Sequence, residues 1–202
     1  MSFPSEKQLR DRFAQAENAV YFATADKRSR YYGFGIAEEL IGASFEEVAD
    51  WAKQQRYPVF GGFAFDDQKV PDSQLMNGYF VLPAVLYDIT DQYLWGRETN
   101  PFGAPYRQEP VAIVATTDET DWPERVNNAI QDMTENDTHQ KVVLGRQRQV
   151  TLSGQLNLAK LLADLADQQP NSYHMVIKRG DEVFRCVFFW KIVSRAVIEK
   201  VA

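Results

Sequence analysis

A lysine and an arginine bracket a β-branched run at Gln140-Lys141-Val142-Val143-Leu144-Gly145-Arg146. An ordinary lysine amine, with a pKa of about 10.4, is protonated at neutral pH and takes no proton from a substrate. It does so only where burial or a neighbouring positive charge disfavours its charged form. Arg146 lies five residues on, and extended geometry does not bring it back beside Lys141. Taken alone, a lysine at the start of a strand reads as a solvated surface residue. The other reactive types offer less. Cys186, His139 and His174 match no familiar zinc spacing. His174 alternates with apolar residues and reads as a core or edge histidine, and no serine–histidine–acid set is recognisable. Gly61-Gly62 opens no helix and reads as a strand bend or close backbone approach, not a phosphate cradle. Gly33-Phe34-Gly35 lacks the third glycine of a dinucleotide fingerprint.

The elements that must hold these residues follow from hydrophobic periodicity. Residues 5–19 read as a helix, with Leu9, Phe13, Ala16 and Val20 at helical spacing and a capping box from Ser5 and Gln8. Ser44-Phe45-Glu46-Glu47 is a stronger box, opening a helix with Phe45, Val48, Trp51 and Ala52 inward. Strands are expected at 20–24, 31–36, 59–65, 78–89, 92–96 and 111–116, a spacing that indicates a meandering antiparallel sheet. Residues 100–105 read as a solvent-exposed turn. A helix is expected over 121–133 with Val126, Ile130 and Met133 as its stripe. A strand at 141–144 leads to Val150-Thr151-Leu152. Leu158, Leu161, Leu162 and Leu165 form the buried face of the next helix. Residues 173–178 and 182–189 form a hairpin across Arg179-Gly180-Asp181.

Composition bounds the function class. A chain of 202 residues with 45% hydrophobic and 25% charged residues has enough apolar surface for a full core. The net charge of −6 argues against nonspecific nucleic-acid binding. A single cysteine suits a reducing cytoplasm. The N-terminal residues carry no apolar signal core, and no apolar run reaches the roughly 18–20 residues of a membrane span. A cytoplasmic protein with no membrane or nucleic-acid partner is expected.

Three segments together resemble the isochorismate synthases of the chorismate-utilising enzyme family. Val59-Phe60-Gly61-Gly62-Phe63-Ala64-Phe65-Asp66 looks like an N-terminal signature of that family, and Leu82-Pro83 within residues 78–87 is similar to its following strand. Gln140 to Arg146, the leucine helix and Asn171-Ser172-Tyr173-His174 resemble the opening of the chorismate-binding core. The resemblance covers most of positions 30–183. It implies an α+β fold, the N-terminal portion of the chorismate-binding enzyme fold, mostly antiparallel sheet with flanking helices. Residues 1–202 would form a single incomplete domain, with 184–202 a divergent tail.

The resemblance also implies a chemistry. Water attacks one ring carbon of chorismate while a hydroxyl leaves from the far end of the allylic system, so the site needs a base and an acid. Lys141 is the base by this resemblance. Relatives that use ammonia, the anthranilate and aminodeoxychorismate synthases, carry glutamine at that place, so lysine favours water. Magnesium is the implied cofactor, with its ligands outside this chain. The product would feed menaquinone or a catechol siderophore. Salicylate synthase, a component of the ammonia-using synthases and a non-catalytic binding remnant are the alternatives.

The pattern departs from the family near the end. Family members run to roughly twice this length, and their acid is the glutamate of a Pro-Glu pair. Here Phe189 stands at the proline's place and Trp190 at the glutamate's. Tryptophan has no proton to give at neutral pH, so the chain as written is expected to be truncated and inactive. A one-nucleotide slip through Arg185-Cys186-Val187 can yield the Gly-Ala-Ser that the family favours there. Exposed sheet edges and apolar faces predict a chain prone to aggregate or oligomerise.

Overall fold

The computed structural model describes residues 3–64, 73–98, 102–118, 120–135, 142–146 and 148–189. They fall into two compact units, one of residues 1–107 with 157–202 and one of residues 108–156.

The first unit begins with α1 (Glu6–Gln15). The expected box is present: the Gln8 N–H donates to Ser5 Oγ at 3.3 Å and the Ser5 N–H to Gln8 Oε1 at 2.9 Å. Leu9 and Phe13, four residues apart on one face, are fully buried. The helix stops at Gln15, short of the expected Ala19, because Ala16 turns extended and the chain enters β1 (Asn18–Ala23). Val20 fits either period, and pairing decides it as strand. β1 lies between β2 (Arg30–Phe34) and β10 (Ser172–Arg179). β6 (Val85–Asp88), β7 (Tyr93–Gly96) and β11 (Glu182–Phe189) complete a six-stranded sheet in the order β11-β10-β1-β2-β6-β7.

A smaller sheet, β3-β5-β4, is built from β3 (Glu38–Ile41), β4 (Phe60–Gly62) and β5 (Tyr79–Leu82). Every strand pairing is antiparallel, as the spacing predicted. The single strand expected over 78–89 is two. Proline cannot donate to a ladder, and Leu82-Pro83-Ala84 carries the chain from the smaller sheet to the larger. β3 was not foreseen, since Glu38-Glu39-Leu40-Ile41 does not alternate.

Period-two alternation gives the large sheet two apolar faces. Ala19, Tyr21 and Ala23 of β1 and Val176 of β10 pack with Leu9 and Phe13 of α1 and with Leu158, Leu162 and Leu165 of α4 (Leu158–Gln168). Val20, Leu86 and Ile177 point the other way, against Phe60, Tyr79 and Val81 of the smaller sheet. The leucine spacing of α4 is borne out. Gly33 and Gly61 are places of close approach. A Cβ on Gly33 would lie 2.6 Å from Pro83 Cγ and Val20 Cγ2, and one on Gly61 would meet the Tyr79 carbonyl and lie 2.6 Å from Phe80 Cα.

α2 (Phe45–Lys53) carries the second capping box and buries Val48. Phe45 does not turn inward as expected. It is exposed and meets the Phe63 ring at 5.9 Å. The β10–β11 hairpin turns over Gly180-Asp181 as read, with Gly180 at φ +58°. The Glu182 carboxylate at its start accepts from the Gln74 N–H at 2.7 Å and the Leu75 N–H at 3.3 Å.

The second unit pairs β8 (Ile113–Asp118) with β9 (Arg148–Leu152) and contains α3 (Trp122–Glu135). Val126 and Met133 of the expected stripe are half-buried, and Ile130 is exposed. The strand expected at 141–144 is corrected: residues 142–146 are irregular, and the strand that pairs with β8 begins at Arg148.

Candidate active site

Lys141 lies outside the described residues, as do His139 and Trp190. What is described is the segment that follows Lys141 and the way it is held. Val142 and Val143 are exposed and Leu144 is half-buried. Arg146 closes the segment by gripping Asp118 at the end of β8. Its Nε donates to Asp118 Oδ1 at 2.9 Å and its Nη2 to Oδ2. Fork-on-carboxylate geometry fixes orientation as well as distance. The register of β8 with β9 sets Asp118 opposite Arg148, whose Nε lies 4.0 Å from the same carboxylate.

Trp122, at the start of α3, carries a guanidinium at two places on its ring. Arg146 lies 5.6 Å and Arg125 5.7 Å from the ring centroid. Arg125 Nη2 also donates to the Gly145 carbonyl at 3.4 Å. Trp122, Arg125, Arg146 and Asp118 thus hold the C-terminal end of the lysine segment. The carboxylate of Asp118 answers the charge of Arg146, which works against Arg146 lowering a lysine pKa. Beside this clamp an open groove of about 360 Å³ runs between Arg125, Asn128, Ala129 and Asp132 of α3 and Val142 and Leu144.

In the first unit a cleft of about 660 Å³ lies along α1, Phe34 and residues 102–105. Arg12 sits 4.2 Å from the Phe34 ring centroid and 5.3 Å from that of Phe102. Its Nη2 donates to Glu98 Oε1 at 3.1 Å and its Nη1 to Oε2, while the Tyr87 hydroxyl donates to Glu98 Oε2 at 2.6 Å. Burial first, then the Glu98 carboxylate, drives the Tyr87 phenol well above its ordinary value. The 100–105 loop therefore departs from the expected solvent-exposed turn at Phe102, which is half-buried and packs on Tyr87 at 5.9 Å. Sequence reasoning missed this clamp because Arg12 and Glu98 are 86 positions apart.

His174 is a core histidine, as read: it is buried, and its Nε2 lies 2.9 Å from the Gln169 carbonyl. Cys186 is half-buried on β11, where burial raises its thiol pKa. Among the described residues no group of three or more histidines, cysteines or carboxylates could hold a metal ion. The magnesium that the resemblance implies has no such cluster of ligands among the described residues. No helix among them is long and apolar enough to cross a membrane.

The described architecture is that of an α+β protein, helices over mostly antiparallel sheets, and it matches part of the chorismate-binding enzyme fold. Residues 97–186 match the family model described as chorismate binding enzyme. Isochorismate synthase MenF of Bacillus subtilis is 27% identical over 153 aligned residues, covering 62% of this chain and 32% of that protein. The chain resembles MenF, the menaquinone-specific isochorismate synthase of Escherichia coli, with a TM-score of 0.64 at 15% identity, over 91% of this chain and 47% of that one. DhbC of Bacillus anthracis, assigned as a 2,3-dihydroxybenzoate-specific isochorismate synthase, gives a TM-score of 0.52 at 20% identity, over 85% and 42%. The chain spans about a third of the length of the curated relative it matches. The resemblance to the chorismate-utilising enzymes therefore rests on sequence and on fold, and the relatives it points to are isochorismate synthases.

Proposed function

We propose that this chain is part of an isochorismate synthase and that it binds chorismate next to Lys141. The observation that supports this reading is the overlap of two matches: the chorismate-binding family model spans 97–186, which contains Lys141, and the curated relative is an isochorismate synthase. In this reading water adds to one ring carbon as the Lys141 amine takes its proton. The allylic double bond shifts, and the C–O bond at the far end breaks. The departing hydroxyl takes up a proton, so the sum is an isomerisation. A positioned base contributes about 10²–10⁴-fold to such a step. Trp190 stands where the resemblance calls for the proton donor, so the base is present without its partner.

The test is to titrate the purified protein with chorismate in the presence of magnesium, then to follow products by chromatography. We expect saturable chorismate binding with conversion at background. Isochorismate formation that is lost in Lys141→Ala would keep the base and overturn the role given to Trp190. Pyruvate release would assign a lyase of the salicylate synthase type instead. No binding at millimolar chorismate overturns the reading.

A further inference from the structure

α3 presents four side chains to the groove of the second unit: Arg125, Asn128, Ala129 and Asp132. Their spacing is that of a single stripe along a helix. Val142 and Leu144 line the groove from the lysine segment, and Val142 is the residue after Lys141. The volume of about 360 Å³ lies within the roughly 300–1,000 Å³ of small-molecule sites. The groove is open and its polar side chains are accessible, Asn128 and Asp132 being exposed and Arg125 half-buried.

The stripe is polarised. Arg125 puts a cation at one end and Asp132 a carboxylate at the other, about 10 Å apart along the helix axis. The guanidinium is oriented by two contacts: its carbon lies 5.7 Å from the Trp122 ring centroid, and its Nη2 donates to the Gly145 carbonyl at 3.4 Å. An arginine carries five N–H donors in a fixed fork that matches a carboxylate. The Asp132 carboxylate accepts, so a group that meets it must donate, as a hydroxyl does. Ala129, Val142 and Leu144 offer apolar surface to a ring. A cyclic acid with a hydroxyl away from its carboxylate satisfies both ends in one orientation. The reverse orientation sets carboxylate against carboxylate.

We propose that this groove binds chorismate in one orientation, a carboxylate on Arg125 and the ring hydroxyl donating to Asp132, with the ring against Val142. This rests on the chorismate reading and adds to it the two residues that set the orientation of the substrate. The test is calorimetric titration of chorismate into the purified protein at pH 7.5 and into its Arg125 and Asp132 variants. Arg125→Gln is expected to weaken binding at least about tenfold, as the loss of a charge-assisted hydrogen bond does. Arg125→Lys, which keeps the charge but not the fork, should weaken it less. Asp132→Ala gives a diagnostic sign. Removing a carboxylate that accepts from the hydroxyl weakens binding about three- to tenfold, whereas removing one that only repels the chorismate dianion tightens it. Saturating chorismate should shift the backbone amide resonances of residues 125–132 and 142–144.

Unchanged binding by Arg125→Gln, unchanged or tighter binding by Asp132→Ala, or amide shifts confined to other residues would overturn the proposal while leaving the chorismate reading in place. No binding of chorismate to the unaltered protein overturns both. Should Arg125→Gln melt earlier, Asp132→Ala decides, because Asp132 is exposed and alanine suits a helix.

Discussion

His174 shows how a single group reports its surroundings. Its imidazole is buried with Nε2 at 2.9 Å from the Gln169 carbonyl, and burial is the largest cause of its lowered pKa, opposed by the Gln169 contact and reinforced by Arg185 and Lys27. The unfolded chain therefore binds a proton near pH 6.5 that the folded chain refuses. Stability from this group is full above about pH 6.5 and is lost as the pH falls through that value toward the lower folded one. The urea midpoint should fall between pH 7.5 and 5.5, above the range where carboxylates titrate. His174→Gln, which keeps a donor for the Gln169 carbonyl, should flatten that slope; an unchanged slope would assign it elsewhere. At Lys141 the reactive type was legible in the sequence, but whether a fold lowers its pKa depends on neighbours distant in sequence. Arg146, five residues on and not expected to reach Lys141, is committed to Asp118.

Elements were legible where a local rule was strong. Both capping boxes form as read, because the serine and its partner three residues on meet within one turn. Ser44→Ala should cost about 1 kcal/mol by urea denaturation, and Ser44→Asp, which still accepts from the Glu47 N–H, should recover most of it. Equal losses in both variants would point to packing and not capping. Elements failed where the outcome needed a partner. The Val142-Val143-Leu144 run has strand composition, yet β8 spends its ladder on Arg148–Leu152. Gly61 carried a readable signal, since only glycine allows the Tyr79 and Phe80 backbone so near.

At the scale of the molecule, each unit leaves apolar surface uncovered. Ile113 and Val114 of β8 are 67% and 66% exposed, and α3 buries none of its side chains among those described. In the first unit Ile41, Phe45, Phe63 and Met76 are each about half exposed. Exposed apolar side chains of this size favour association where they cluster. The chain should therefore self-associate with rising concentration, seen by light scattering coupled to size exclusion. A monodisperse monomer that melts in one cooperative step would contradict this.

The sequence by itself determined what depends on neighbours along the chain. Capping fixed the starts of the two boxed helices, apolar spacing fixed the buried face of α4, and turn chemistry fixed the Gly180-Asp181 hairpin. Alternation implied an antiparallel sheet, and the order of three segments pointed to chorismate-utilising enzymes. The tertiary structure alone decided what requires residues far apart to meet: the end of α1, the division of residues 78–89 between two sheets, and the Arg12–Glu98–Tyr87 clamp. It also set Arg30 of β2 and His174 of β10 on either side of Ala23 of β1. The reason is physical. Helix caps and turns close within a few residues, whereas sheet order and buried polar contacts are chosen by the packing of the whole core.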